Sequence, residues 1–172
     1  MDNEKLSYFI LHFVSALMDL SYNGISALMI IDPQKGDENF FASLEKNAVI
    51  LNADFNSYLL YAIFNESTPF HDLAVIVRLY PAISKVTIHA ASVELPMADE
   101  EEVVREFGKM TIGRKGARHR AAIGGSKLFE HAFIIMASHG TVHVCAGGEK
   151  FSLLKKAVPV NSSNFRNGCW PN

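Results

Sequence analysis

The segment Gly116-Ala117-Arg118-His119-Arg120 carries the side chains of this chain that are best suited to bind a charged ligand. Two arginines flank a histidine, and the small residues that follow can begin a helix. Backbone N–H groups at the start of a helix, with guanidinium groups beside them, bind phosphate oxygens. The pattern therefore predicts a polyphosphate site, without indicating what happens to the ligand. On these residues alone, a solvated helix start with ordinary surface ion pairs is an equally open interpretation.

Length and composition indicate one soluble domain. The chain has 172 residues, of which 49% are hydrophobic and 20% charged, enough to bury a sizeable core. The formal net charge of −2 gives no overall basic surface for a nucleic acid. The two cysteines are too few for a disulfide framework and lack metal-site spacing, which favours a reducing, cytoplasmic location. The apolar segment Leu6–Leu20 is short and interrupted by polar residues, so we expect neither a membrane span nor a signal peptide.

The hydrophobic pattern predicts a mixture of helices and strands. Helices are expected over residues 6–20, after a capping Asp54, over residues 99–107 and over residues 118–129. Strands are expected over residues 25–31, 73–77, 86–93, 132–136 and 141–145. This mixture predicts an α/β or α+β sheet domain. We expect an N-terminal helix within residues 1–22, the domain over residues 23–158 and a polar tail over residues 159–172.

Several other polar or polarisable residues have plainer structural interpretations. Histidines in strand-like runs are expected to be alternating sheet residues rather than ligands, and methionines in apolar runs are expected to fill the core. These residues are His89, His131, His143, Met97, Met110 and Met136. The acidic run Glu100–Glu102 is expected to be a solvated helix start, where the helix dipole favours negative charge.

Two segments together resemble the two signatures of the diadenylate cyclase domain family. Thr68-Pro69-Phe70-His71-Asp72-Leu73-Ala74 is similar to a strand start that reads TPxHDGA in that family. Gly116-Ala117-Arg118-His119-Arg120-Ala121-Ala122 is similar to a loop that reads GTRHRAA. The match in order and context runs from about Gly24 to Gly148. The resemblance implies a mixed sheet flanked by helices, and an enzyme that condenses two ATP molecules into cyclic di-AMP with release of pyrophosphate.

The same resemblance implies roles for individual residues. Asp72, at the start of a predicted buried strand, would ligate a divalent metal ion or accept the proton of the attacking hydroxyl, whereas taken alone it would be a turn or capping residue. His71 would be a second metal ligand through a neutral ring nitrogen. Arg118 and Arg120 would hold phosphate oxygens, and with His119 between them they complete the catalytic set. Further nucleotide contacts would lie at Leu73, Ala74, Gly116, Ala117, Ser138 and Leu95, the last as an apolar wall against adenine.

Three departures from the family's pattern bear on activity. Leu73 stands where the family has glycine, so a side chain occupies a position where the backbone lies near the nucleotide. Ala117 replaces a threonine whose hydroxyl could bond a phosphate. Ala137-Ser138-His139 stands where other members often carry acidic residues, and His139 would substitute as a metal ligand that favours Mn²⁺ or Co²⁺ over Mg²⁺. Two hypotheses follow: a metal-dependent diadenylate cyclase, or a catalytically impaired nucleotide-binding sensor of the same fold.

Closing a cyclic dinucleotide needs two ATP sites, because each 3′-hydroxyl must reach the α-phosphate of the other nucleotide. The chain has one copy of each motif, so we expect a homo-oligomer in which two domains face each other across a two-fold axis. Membrane-anchored members of the family carry hydrophobic spans ahead of the domain, and DNA-scanning members append a helical DNA-binding region. This sequence has neither, so we expect a free-standing soluble cyclase or an excised domain that binds ATP and no nucleic acid.

Overall fold

Four helices and seven strands make up the part of the chain that the computed structural model describes, which is residues 14–32, 44–68, 70, 72–80, 85–108, 116–128, 133–138 and 140–154. Helix α1 is described over residues 14–22, and Glu45–Asn47 form a single 3-10 turn. The other helices are α2 (Ser57–Phe64), α3 (Glu100–Phe107) and α4 (Ala117–Leu128). Within these described ranges, no helix is long and apolar enough to cross a membrane. The predicted polar tail, residues 159–172, lies outside them.

The strands form one mixed sheet in the order β2-β4-β3-β1-β5-β6-β7. Their bounds are β1 (Ala27–Asp32), β2 (Val49–Asp54), β3 (Ala74–Tyr80), β4 (Lys85–Val93), β5 (Phe133–Ser138), β6 (Thr141–Ala146) and β7 (Glu149–Leu154). β1 and β3 are parallel, and the other neighbouring pairs are antiparallel. The mixed sheet implied by the resemblance is therefore confirmed. The edge strands β2 and β7 were not predicted.

Helices cover both faces of the sheet. α1 and α2 pack on one face against strand residues that include Met29 and Val75. α3 and α4 cover the other face and pack against strand residues that include Leu28 and Ile76. β1 lies between the two layers, and all of its residues are buried. A strand buried on both faces is a continuous apolar run, which is why β1 was predictable from the sequence.

The N-cap of helix α2 lies two residues later than predicted. The side chain of Asn56, rather than that of Asp54, accepts a hydrogen bond from the backbone N–H of Leu59 at 2.8 Å. Asp54 is the last residue of β2, and its carboxylate lies 3.0 Å from Nζ of Lys85. The prediction was wrong because the chain continues extended through Asp54, which places the first free helical N–H groups nearer to Asn56.

The plainer predictions for single residues have mixed outcomes. Met136 is buried in β5, as expected of a core residue, whereas the side chain of Met97 is 54% exposed. Met97 was wrongly predicted because β4 ends at Val93 and the chain then leaves the sheet. His89 and His143 lie in strands as predicted. His131 and Met110 lie outside the described residues.

Candidate active site

The strand register brings the two sequence motifs to one end of the sheet. Met29 lies beside Val75 in the parallel pair, and Ala27 lies beside Ala137 in the antiparallel pair. The start of β3 and the end of β5 therefore flank the start of β1, and neighbouring strands are about 4.8 Å apart. Asp72 immediately precedes β3, and Ser138 is the last residue of β5. Residues far apart in the sequence thus converge on this end of the sheet.

An ion pair joins the two motifs directly. Nη2 of Arg118 donates a hydrogen bond to Oδ1 of Asp72 at 2.8 Å. Arg118 lies in the first turn of α4, so the pair places the N-terminus of that helix over the start of β3. The Asp72 side chain is 70% exposed and that of Arg118 is 22% exposed. A carboxylate open to solvent and a fixed guanidinium therefore stand together at the N-terminus of a helix, an arrangement that suits a metal-bound polyphosphate.

His119 is largely buried and contacts an aromatic ring of α3. His119 is 8% exposed, and its ring contacts the ring of Phe107 edge to face, with centroids 4.6 Å apart. Phe107 makes a second edge contact with His143 at 5.2 Å, and Nζ of Lys150 lies 4.8 Å from its centroid. His119 thus ties the start of α4 to α3 and to the β6–β7 hairpin.

His143 and Cys145, both on β6, have pKa values that keep them neutral at physiological pH. Burial lowers the pKa of His143 to about 4, and its electrostatic interactions with Lys150 and His119 act in the same direction. Burial likewise raises the pKa of the Cys145 thiol to about 12, with a further contribution from the Glu106 carboxylate. The pKa values of His143 and Cys145 therefore do not suit general acid or base catalysis near pH 7.

Arg120 contacts a different part of the site from Arg118. Its Nε donates to the carbonyl oxygen of Ala98 at 2.8 Å, and the N–H of Ala98 donates back to the carbonyl oxygen of Arg120 at 3.0 Å. Leu95 lies in the same segment, but it is only 8% exposed because it packs against α4. Most of its surface therefore faces the helix, whereas Met97 is the exposed apolar residue of the segment.

Helix α1 also reaches this end of the sheet. Oγ of Ser21, a buried residue, accepts a hydrogen bond from the N–H of Gly140 at 2.6 Å. Gly140 has a positive φ of 77° and lies in the short connection between β5 and β6. Sequence reasoning missed Ser21, since no local signal links it to a residue 119 positions away.

The remaining predicted site residues are described only in part. Leu73 is half-buried, Ala74 and Gly116 are buried, and Ala117 is exposed. Ser138 is placed by its backbone alone, and the two proposed metal-ligand histidines, His71 and His139, lie outside the described residues. Among the residues that are described, no group of three His, Cys, Asp or Glu side chains could hold a metal ion. The exposed carboxylate of Asp72 is an oxygen ligand of the kind that Mg²⁺ and Mn²⁺ accept.

Comparison with known families identifies the class of this domain. A family model described as DisA bacterial checkpoint controller nucleotide-binding, abbreviated DAC, matches residues 14–150. The chain belongs to this family, as the two motifs predicted. The match covers every strand of the sheet up to the start of β7 and all four helices of the described region.

Curated relatives and solved structures agree with this assignment. The chain is 30% identical over 149 residues to a diadenylate cyclase of Listeria monocytogenes, covering 80% of this chain and 48% of that protein. It is 32% identical over 126 residues to the cyclic di-AMP synthase CdaA of Bacillus subtilis, covering 73% of this chain and 40% of that protein. The chain therefore spans about half the length, or less, of these relatives. A double mutant of DacA from Staphylococcus aureus has the same fold, with a TM-score of 0.66 at 22% identity, covering 88% of this chain and 90% of that one.

Proposed function

We propose that this chain is a metal-dependent diadenylate cyclase, which joins two ATP molecules into cyclic di-AMP and releases two pyrophosphates. The observation that carries the proposal is the ion pair between Asp72 and Arg118 at 2.8 Å. It brings one charged residue from each family signature together at one end of the sheet. Membership of the family and the names of its curated relatives support the same reaction.

Each half-reaction exchanges one bond for another at an α-phosphorus. The 3′-oxygen of one ATP forms a bond to the α-phosphorus of the other and loses its proton, while the bond from that phosphorus to the β-phosphate bridging oxygen breaks. Such transfers depend mainly on positioning and on neutralising the developing charge. Arg118, beside the N-terminal N–H groups of α4, is suited to bind the departing phosphates.

A divalent cation fits the exposed carboxylate of Asp72, with His71 immediately before it in the chain. When bound, Mg²⁺, Mn²⁺ or Co²⁺ would neutralise phosphate charge and make the 3′-hydroxyl easier to deprotonate. His139 would complete the ligand set, and its nitrogen favours Mn²⁺ or Co²⁺. Alternatively, Asp72 accepts the proton of the 3′-hydroxyl. Its exposed carboxylate is accessible both to a metal ion and to that hydroxyl.

The remaining nucleotide contacts follow from the family signatures. Leu73, Ala74, Gly116, Ala117 and Ser138 would surround the phosphates and ribose, since they flank the ion pair at the same end of the sheet. The adenine would lie beside the segment that follows β4. Two domains would face each other across a two-fold axis, so that each ATP presents its 3′-hydroxyl to the other.

A nucleotide sensor without turnover is the second candidate. The observation that favours it is the half-buried side chain of Leu73, which stands between the exposed Asp72 and the buried Ala74 where the family has glycine. A side chain at that point takes space that a nucleotide would occupy. ATP or a dinucleotide would then bind without reacting.

Product analysis separates these two functions. The purified 172-residue chain is incubated with ATP and either Mg²⁺ or Mn²⁺, and cyclic di-AMP is measured by mass spectrometry. ATP affinity is determined in parallel by calorimetry. Formation of cyclic di-AMP supports the cyclase. ATP binding without product supports the sensor, and absence of both refutes the nucleotide site altogether.

A further inference from the structure

We propose that Arg120 is a positioning residue that holds the segment 94–98 as the base-side wall of the nucleotide site, and that it does not bind phosphate. The proposal rests on the proposed function, because it assigns the two arginines of the triplet to opposite ends of the same ligand. It differs from the sequence-based expectation, in which both arginines hold phosphate oxygens.

Helix geometry separates the two arginines. Successive residues of an α-helix are rotated by about 100°, so side chains two positions apart point in directions about 200° apart. Arg118 accordingly reaches Asp72 ahead of β3, whereas Arg120 reaches Ala98 after β4. Two side chains held by different elements on different sides of α4 are not suited to form one phosphate clamp.

Arg120 satisfies both backbone polar groups of Ala98. The residue Ala98 is buried, and its C=O accepts from Nε of Arg120 while its N–H donates to the carbonyl oxygen of Arg120. Buried backbone groups need such partners, and losing one destabilises the local structure. Removing the Arg120 side chain would deprive the Ala98 carbonyl of its donor while the backbone bond remained.

Helix α4 packs so closely against this segment that two of its glycines have no space for a side chain. A Cβ on Gly124 would collide with the carbonyl oxygen of Pro96 and lie 2.6 Å from the N of Ala98. A Cβ on Gly125 would lie 3.1 Å from Cδ1 of Leu95 and 2.6 Å from Cδ1 of Ile134. The helix and the segment are thus in direct backbone contact, and the Arg120 guanidinium lies across their junction.

The segment borders the site. Val93, the last residue of β4, pairs with Ala74 at the start of β3, which places the following residues close to Asp72. The segment contains Met97, which is exposed, and Leu95, which is buried next to α4. An apolar surface at this end of the sheet suits a purine ring, so the position of the segment would control adenine binding rather than phosphate binding.

Inorganic tripolyphosphate distinguishes the two roles, because it has phosphates and no base. Calorimetry with Mn²⁺ measures the affinity of the full chain for ATP and for tripolyphosphate. Arg120→Ala is expected to weaken ATP binding by about two- to tenfold and to leave tripolyphosphate binding unchanged, whereas Arg118→Ala weakens both by about tenfold or more. Arg120→Lys should recover part of the ATP affinity, since an ammonium can still donate to the Ala98 carbonyl. Arg105→Ala, an exposed arginine on α3, is the matched control and should change neither.

Hydrogen exchange provides a readout that does not need a ligand. The backbone amides of residues 94, 95 and 97–99 should exchange faster in Arg120→Ala and stay unchanged in Arg118→Ala. The proposal is overturned if Arg120→Ala weakens tripolyphosphate binding as much as Arg118→Ala does, or if exchange in the segment is unaffected. Failure of the proposed function would give a different result, because the wild-type chain would then bind no ATP or form no cyclic di-AMP. The hydrogen-exchange measurement would still decide whether Arg120 holds the segment.

Discussion

Arg118 and Asp72, which lie 46 positions apart in the sequence, neutralise each other through a hydrogen bond of 2.8 Å. The proposed reaction uses the first to bind phosphate and the second to bind a metal ion. Because Asp72 is 70% exposed, the pair is of the surface type that typically contributes about 0–1 kcal/mol. In the proposed function, a phosphate and a metal ion would therefore each displace only a weak internal partner.

The first prediction concerns metal binding without nucleotide. Arg118→Ala is expected to increase the affinity of the nucleotide-free chain for Mn²⁺ by about two- to fivefold, because it removes a cation that competes for Asp72. Electron paramagnetic resonance of free Mn²⁺ measures the affinity. Arg105→Ala should leave it unchanged. A loss of affinity in Arg118→Ala would show that the arginine helps to form the metal site rather than competing with it.

Asp72→Asn is expected to lower the rate of cyclic di-AMP formation by about 10²-fold or more, since metal ligation or proton acceptance requires the carboxylate. The fold should be retained, because asparagine keeps an oxygen that can accept from Arg118. Product is measured by mass spectrometry and ATP binding by calorimetry. Asp54→Asn is the matched control, as that carboxylate is exposed and pairs with Lys85 at 3.0 Å. Equal rates in wild type and Asp72→Asn would remove Asp72 from the catalytic set.

Ser21→Ala is expected to lower the free energy of unfolding by about 1–3 kcal/mol, because the buried N–H of Gly140 would lose its acceptor. Urea denaturation followed by circular dichroism measures the change. Ser15→Ala is the control, since Ser15 is exposed on the same helix. Equal stabilities of the two variants would mean that α1 does not anchor the β5–β6 connection through this hydroxyl.

The depressed pKa of His143 predicts a pH dependence of stability. Its ordinary value of 6.5 falls to about 4 in the folded protein, so between these values the unfolded state binds more protons. Stability therefore decreases as the pH falls from about 6.5 to about 4. His143→Gln should reduce this slope, as measured by urea denaturation at several pH values, and identical slopes in the two proteins would contradict the assignment.

Assembly is tested by dilution. If two domains must face each other, specific activity should fall as the enzyme is diluted below the dissociation constant of the pair. Adding an excess of Asp72→Asn subunits should reduce the activity of wild-type subunits that pair with them. A constant specific activity in a protein that sedimentation shows to be monomeric throughout would rule out the face-to-face arrangement.

The sequence by itself was enough to predict the family and the central strands of the fold, and the reasons are physical. Residues of β1 are buried on both faces, so an apolar run without alternation was enough to predict the strand. The two motifs were recognisable because their charged residues are local in sequence. β2 was not predicted because it lies at the edge of the sheet and its side chains are largely exposed. Burial therefore imposes no hydrophobic pattern on its sequence.

Only the tertiary structure decided what each residue of the Arg-His-Arg triplet contacts. Helical rotation sends the three side chains in different directions, and the partners come from distant parts of the chain: Asp72 for Arg118, Phe107 for His119 and Ala98 for Arg120. The sequence contains the three residues but not the neighbours that surround them. Those neighbours are set by how α4 packs on the sheet, and that packing depends on long-range contacts such as the approach of Gly124 to Pro96.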